Sequence, residues 1–229
     1  MESLGIEQEP QKHLPLFPAN SDTDKTISIA QSMEVYSNNP WAMIEDGLIY
    51  TLDQTDLLDP VKQFPNWPWL EKIASIWLYT NLLAVPKSRR MTLSWLMIYL
   101  HLWLAMWRPG AAIFFVSDKE EKSDELVKRA EFIWKYIPED KMLKPKAKGK
   151  YCMLEFPGLD SYIKGVPMGE GQLRQYTATA ILADEFAFWE KNRETFMASK
   201  PTIEGGGKFT CISSPQVGFF KDLCFDLIR

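Results

Sequence analysis

Cysteine and histidine are scarce in this chain: three cysteines (Cys152, Cys211, Cys224) and two histidines (His13, His101) in 229 residues. There is no CxxC pair and no HExxH pattern, so neither a zinc site nor a histidine-based metalloenzyme is indicated. An odd number of cysteines also argues against a disulfide framework. A hydrophobic run of membrane length is missing too. The most apolar stretch, Leu93 to Trp107, is broken by Ser94 and His101. It falls short of the roughly 20 residues needed to cross hydrocarbon, so a buried helix is expected and no membrane partner. The opening residues, Met1-Glu2-Ser3-Leu4-Gly5-Ile6-Glu7, are acidic and lack the apolar segment of a secretory signal. A reducing, cytoplasmic setting is the expectation. One further absence shapes the chemistry: no standard phosphate loop of the form GxxxxGK[ST] occurs.

What is present is ordinary globular composition, 46% hydrophobic and 24% charged, enough to build one substantial α/β domain. The net charge of −4 hides an asymmetry. Residues 1–60 carry eleven acids against Lys12 and Lys25, which leaves the remainder mildly basic. Residues 1–40, rich in Pro, Ser, Asn, Asp and Gln, read as an acidic, loosely ordered arm, and 41–229 as the folded domain.

Within that domain, apolar periodicity predicts alternating helices and strands. Trp69, Ile73, Ile76 and Leu78 suggest an apolar helix face, and Leu82 to Val85 a short buried strand ended by Pro86. The apolar helix Leu93–Trp107 follows, then a strand at Ala111–Val116. Ser117-Asp118-Lys119-Glu120 has capping-box form ahead of a helix marked by Leu126, Ala130, Ile133 and Ile137. Lys150–Phe156 and Tyr162–Val166 read as a hairpin or two neighbouring strands. A strand over Ile181–Asp184, a polar helix near Lys191–Ser199 and a strand at Lys208–Ser213 complete the order. Such alternation argues for a mostly parallel sheet with helices on both faces.

The chemistry concentrates at strand ends. Ile181-Leu182-Ala183-Asp184-Glu185 is an apolar run ending in two carboxylates, which at the edge of a sheet meet a cation, a proton or solvent. It reads either as a metal- and water-handling acid pair or as a strand running into an acidic turn. Between an earlier strand and helix stands Lys87-Ser88-Arg89-Arg90-Met91-Thr92-Leu93-Ser94. This segment crowds three cations in front of a helix N-terminus, where free N–H groups and the helix dipole favour an anion. Alone it equally suits a solvated basic loop.

Taken together with Ser213-Ser214-Pro215 at the end of the next strand, these segments resemble the ATPase domain of the large terminase subunit of tailed bacteriophages. That family has a deviant phosphate loop, K-[AS]-R-Q-x-G-x-[ST], which residues 87–94 match except at Arg90 and Thr92. Its hydrophobic-DE motif matches Ile181–Glu185, and its S-[ST]-P coupling motif matches Ser213–Pro215. Lesser echoes are Phe64-Pro65, Val116-Ser117, and Gly165-Val166-Pro167 ahead of Arg174. The resemblance implies an α/β P-loop NTPase of the additional-strand, catalytic-glutamate type, using ATP and Mg²⁺. Lys87 would contact the β- and γ-phosphates, with Ser88, Arg89, Arg90, Met91, Thr92, Leu93 and Ser94 completing the loop. Ser94 would contact Mg²⁺, Asp184 would hold it through water, and Glu185 would orient the attacking water. Arg89 would stabilise transition-state charge, and Arg174 is a weaker sensor candidate. Ser213, Ser214 and Pro215 would couple hydrolysis to DNA grip.

The implied work is translocation of double-stranded DNA into a procapsid by a homo-oligomeric ring on the portal protein. The small terminase subunit would be a further partner, and the host cytoplasm the setting. Two departures stand out: a β-branched Thr92 replaces the family's glycine, and the family's RNase H-like nuclease domain has no counterpart here. No nuclease activity is therefore expected of this chain. A helicase-like DNA translocase, a non-catalytic adaptor that keeps the sheet, and a membrane-associated protein using Leu93–Trp107 remain as alternatives. Trp77 is expected in the core, with Trp67 and Trp69 open between core and base stacking. The run Lys141, Lys144, Lys146, Lys148, Lys150 is either a solvated loop or a contact to DNA phosphates, with Lys144, Lys146 and Lys148 at its centre.

Overall fold

The computed structural model describes residues 21–88, 92–169 and 177–225. A seven-stranded sheet carries the chain. Its strands are β3 (Leu82–Pro86), β4 (Ala112–Ser117), β5 (Lys148–Lys150), β6 (Met153–Phe156), β7 (Ser161–Pro167), β8 (Ala180–Asp184) and β9 (Lys208–Ser213), in the spatial order β3-β9-β8-β4-β7-β6-β5. The first five in that order run parallel, while β7, β6 and β5 form an antiparallel meander. A separate two-stranded ribbon pairs β1 (Tyr50–Leu52) with β2 (Val61–Gln63).

Helices cover both faces. On one lie α1 (Ser21–Asn38), α2 (Pro40–Glu45), α3 (Pro68–Tyr79), α4 (Leu93–Trp107) and α5 (Glu120–Tyr136); on the other lie α6 (Asn192–Glu204) and α7 (Phe219–Phe225). The two-residue period of a strand explains how one strand serves both layers. In β4, Ile113 and Phe115 join the core under α4 and α5, while Ala112, Phe114 and Val116 join the core under α6 and α7. Its apolar run Ala112–Val116 is what burial on both faces requires. Helix α4 is buried on nearly every side, as its sequence predicts. His101 lies inside it, where its Nδ1–H donates to the Met97 carbonyl at 2.7 Å and burial pushes its pKa down to about 4. No described helix is long and apolar enough to cross a membrane. Gly165 marks a close approach, since a Cβ there would sit 2.9 Å from the Ser123 carbonyl oxygen of α5.

Four local expectations are corrected. Residues 21–38 of the expected loose arm form the helix α1, and Tyr36 packs in the core and donates to Asp46 at 2.7 Å, while residues 1–20 lie outside the described residues. Helix α3 forms where expected, but its buried residues are Leu70, Ala74 and Trp77; of the expected face Ile73 and Leu78 pack against the core while Trp69 and Ile76 are partly exposed. The strand before Pro86 is an edge strand and only half buried, which is where a proline lacking N–H is tolerated. The capping box at Ser117 does not form. Ser117 belongs to β4 and is buried, its hydroxyl donating to Asp118, while Lys119 begins the helix without a side-chain cap.

Candidate functional site

Strand β9 lies between β3 and β8, so the loop after β3 and the acids after β8 flank one additional strand. Parallel register brings all three carboxyl ends to one edge: Pro86 pairs with Ser213 and Asp184 with Ile212. The crevice outside such strand ends is where open α/β sheets bind ligands.

Lys87 is the first residue past β3, and its N–H donates to the Ser213 carbonyl at 2.8 Å, tying the loop to the end of β9. Its side chain is only 8% exposed and runs to the two acids, with Nζ 2.7 Å from Glu185 Oε1 and 3.7 Å from Asp184 Oδ1. Ser94, in the first turn of α4, donates through Oγ to Asp184 Oδ1 at 3.4 Å. Glu185 adopts φ 51°, ψ 39°, a left-handed turn that stops β8 and precedes a single 3₁₀ turn, Phe186–Phe188. Its second oxygen accepts from the Ser213 hydroxyl at 3.4 Å and the Ser214 N–H at 3.2 Å. The loop lysine, the acid pair and the serines at the end of β9 therefore form one connected network.

The two carboxyls are driven in opposite directions. Burial raises the pKa of Asp184 from its ordinary value, the Lys87 charge only partly offsetting it. Burial also works against the Glu185 carboxylate, but the Lys87 ammonium, the Ser214 N–H and the Ser213 hydroxyl together hold its pKa below the ordinary value. Glu185 is the more firmly ionised of the pair. The hard oxygen donors Ser94 Oγ and Asp184 Oδ1 fit a Mg²⁺ ion.

Thr92 stands at φ 58°, ψ 0° immediately before α4, with no side-chain cap bond. The position where the resemblance places glycine is thus one at which a β-branched residue is strained. Leu93, at the place where a standard phosphate loop carries its lysine, is buried. Ser88 is exposed, and so is Pro215, which meets Pro86 and Phe220 in an apolar cleft. Arg89, Arg90, Met91 and Arg174 lie outside the described residues.

A cavity of about 470 Å³ opens beside the acids, lined by Ser94, Asp184, Glu185 and Ser214. Ser117 and Asp118 at the end of β4 and Lys122, Glu125, Leu126 and Arg129 of α5 also line it. The residues of α5 carry no motif, so the sequence did not reveal them. Ser117 and Asp118 were findable from the rule that ligands sit past parallel strand ends.

The lysine run is elsewhere, beginning after α5 and ending in β5, at the sheet edge opposite β3. Lys144 is not free to track DNA. Its ammonium donates to the Trp134, Lys135 and Ile137 carbonyls at the end of α5 and lies 4.7 Å from the Trp134 ring centroid. Lys150 pairs with Glu155 at 2.8 Å, whereas Lys141, Lys146 and Lys148 are exposed. Trp77 is in the core, as expected; Trp67 and Trp69 stack on each other with centroids 5.9 Å apart and remain partly exposed.

A parallel sheet with one strand, β9, between β3 and the acid-tipped β8, covered by helices on both faces, is the arrangement of the additional-strand type of P-loop NTPase fold. Comparison with solved structures agrees. The chain is similar to a point mutant of the large terminase ATPase domain of Thermus phage P74-26, with a TM-score of 0.52 and 13% identity, covering 69% of each chain. It is likewise similar to the HK97 bacteriophage large terminase, with a TM-score of 0.53 and 11% identity, covering 76% of this chain and 37% of that one. By sequence, no protein-family model and no curated protein matches. The likeness is one of fold.

Proposed function

We propose that the chain is the ATPase motor domain of a phage large terminase, coupling Mg²⁺-dependent ATP hydrolysis to translocation of double-stranded DNA into a procapsid. The observation that carries the reading is the reach of Lys87, from the front of its loop, to Glu185 at 2.7 Å, with Ser94 beside Asp184. A lysine at the front of the loop does the work that a standard loop gives to the position of Leu93, and a helicase-like translocase with that standard arrangement fits less well.

In this reading the phosphates approach over the N-terminus of α4, whose free N–H groups and dipole favour an anion. Lys87 exchanges its carboxylate partner for phosphate oxygens, a transfer between two charge-assisted contacts. Ser94, and Asp184 through water, would hold Mg²⁺, which would supply charge neutralisation of the phosphates. Released from Lys87, the ionised Glu185 is placed to orient water and accept its proton. Because Ser213 and Ser214 hold the other Glu185 oxygen, a change at Glu185 is felt directly at the end of β9, which suits a coupling role. The portal protein, the small terminase subunit, a homo-oligomeric ring and a host-cytoplasmic setting belong to the same proposal.

The test is calorimetry with a non-hydrolysable ATP analogue. Saturable binding that needs Mg²⁺ supports the reading; no binding with or without Mg²⁺ favours an adaptor that keeps only the sheet.

A further inference from the structure

The cavity beside Glu185 holds an unassigned cation. Among its described lining residues the acids are Asp118, Glu125, Asp184 and Glu185, and the cations are Lys122 and Arg129. Lys122 is occupied by Asp118 at 2.8 Å, and Lys87 lies against the acid pair. Arg129 has no carboxylate within ion-pair distance among the described residues. Its guanidinium instead rests on the Trp95 ring, 5.7 Å from the centroid, and that ring is set edge-on to Phe132 at 5.8 Å. Trp95 is the neighbour of Ser94 in the first turn of α4. The guanidinium is therefore positioned by the same helix start that presents the hydroxyl proposed for Mg²⁺.

A planar guanidinium resting on an aromatic ring, with no ion pair to an acid among the described residues and its charge felt at Asp184, suits bidentate recognition of a phosphate group. The cavity is concave and lined by four carboxylates, which would repel the extended phosphate backbone of a duplex but admit a single phosphate group accompanied by a metal ion. The geometry points to Arg129 as a residue that recognises the terminal phosphate of the nucleotide, in the same chain as Lys87 and lining the same cavity as Glu185. This inference rests on the proposed nucleotide site and adds a specificity residue to it: Arg129 separates the triphosphate from the diphosphate.

The experiment compares wild type, R129Q and R129K for Mg²⁺-dependent binding of AMP-PNP and of ADP by calorimetry, with thermal unfolding of each protein alone. Loss of a charge-assisted bond predicts that R129Q binds AMP-PNP about ten-fold more weakly while its ADP affinity stays within about two-fold. R129K, which keeps the charge without the fork, should show a smaller loss confined to AMP-PNP. Should R129Q fail to fold, R129K carries the same selective test. Equal losses for both nucleotides would make Arg129 a structural partner of Trp95 and overturn the inference, as would unchanged binding of both. If wild type binds neither nucleotide, the nucleotide reading falls and this inference with it. If wild type binds and R129Q matches it, only this inference falls.

Discussion

Replacing Thr92 by glycine should stabilise the protein, an unusual result beside a functional loop. Thr92 holds φ 58° without using its hydroxyl as a cap, and its carbonyl accepts from the Leu96 N–H at 3.1 Å, a backbone bond that the substitution keeps. A left-handed conformation costs an L-residue about 1–2 kcal/mol, with β-branched residues among the least tolerant. Glycine removes that strain but enlarges the conformational freedom of the unfolded chain, which costs about 0.4–1 kcal/mol. The net gain is about 0.5–1 kcal/mol, a rise of roughly 1–4 °C in the unfolding midpoint for a chain of this size. Thermal unfolding without ligand measures it. Asp160→Gly is the control: Asp160 is exposed, remote from the site and also left-handed at φ 52°. Aspartate tolerates that region better, so its gain should be smaller, and its affinity for an ATP analogue should match wild type. Thr92→Gly should bind the analogue at least as well as wild type, because glycine lets the backbone approach the phosphates. A lower midpoint for Thr92→Gly would refute the strain argument.

Lys87→Ala should weaken binding of the ATP analogue about 10- to 100-fold, the worth of a hydrogen bond to a charged group, whereas Lys119→Ala, exposed at the start of α5, should not; equal affinities in calorimetry would remove Lys87 from the site. Glu185→Gln should bind the analogue yet lose turnover in a phosphate-release assay, and failure to bind would contradict its assignment to water. The same variant reports on pH: the Glu185 pKa is lowered in the fold, so its contribution is present above the ordinary glutamate pKa and lost as pH falls through the folded value. Glu185→Gln should therefore flatten the acid limb of stability below about pH 4.5. For the lysine run, Lys144→Met should lower stability by about 1–3 kcal/mol, since it strips α5 of its carbonyl partner. Neutralising Lys141, Lys146 and Lys148 should leave stability intact. If the run meets DNA, the salt slope of duplex binding should fall by up to about 0.9 for each phosphate no longer neutralised; an unchanged slope makes the run a solvated loop.

The sequence was most legible where local rules and tertiary demand coincide. Helix α4 and strand β4 are apolar almost throughout because both are buried on nearly every side, and such runs suit that environment. The acid pair was legible for the opposite reason: carboxylates after an apolar strand need a partner, and the fold supplies Lys87 from almost a hundred residues away. Reading failed where a polar residue serves the backbone rather than solvent. Lys144 looks like one more cation in a basic run, yet it caps α5 through three carbonyls, because a helix end buried beside Trp134 must satisfy its acceptors. Lys208 does the same for α3, donating to the Trp77, Leu78 and Thr80 carbonyls.

The same blindness hid half of the candidate site. Arg129 sits among the charged residues of an amphipathic helix, in a sequence that would suit any solvated face. What distinguishes it is the packing of α5 against the start of α4, which places Trp95 under its guanidinium and leaves Asp118 with Lys122. Spacing within one helix cannot encode that, since the pairing depends on two helices meeting over β4. The loop and strand-end residues of this site are local in sequence and could be read. The rest of the cavity lining is made only by the fold, and there the strongest further test of the nucleotide reading lies. If Lys87 and Arg129 meet one phosphate, losing either should weaken triphosphate binding, and losing both should weaken it by less than the product of the two effects. Such non-additivity marks two groups that share one ligand. Strict additivity would separate them into independent sites.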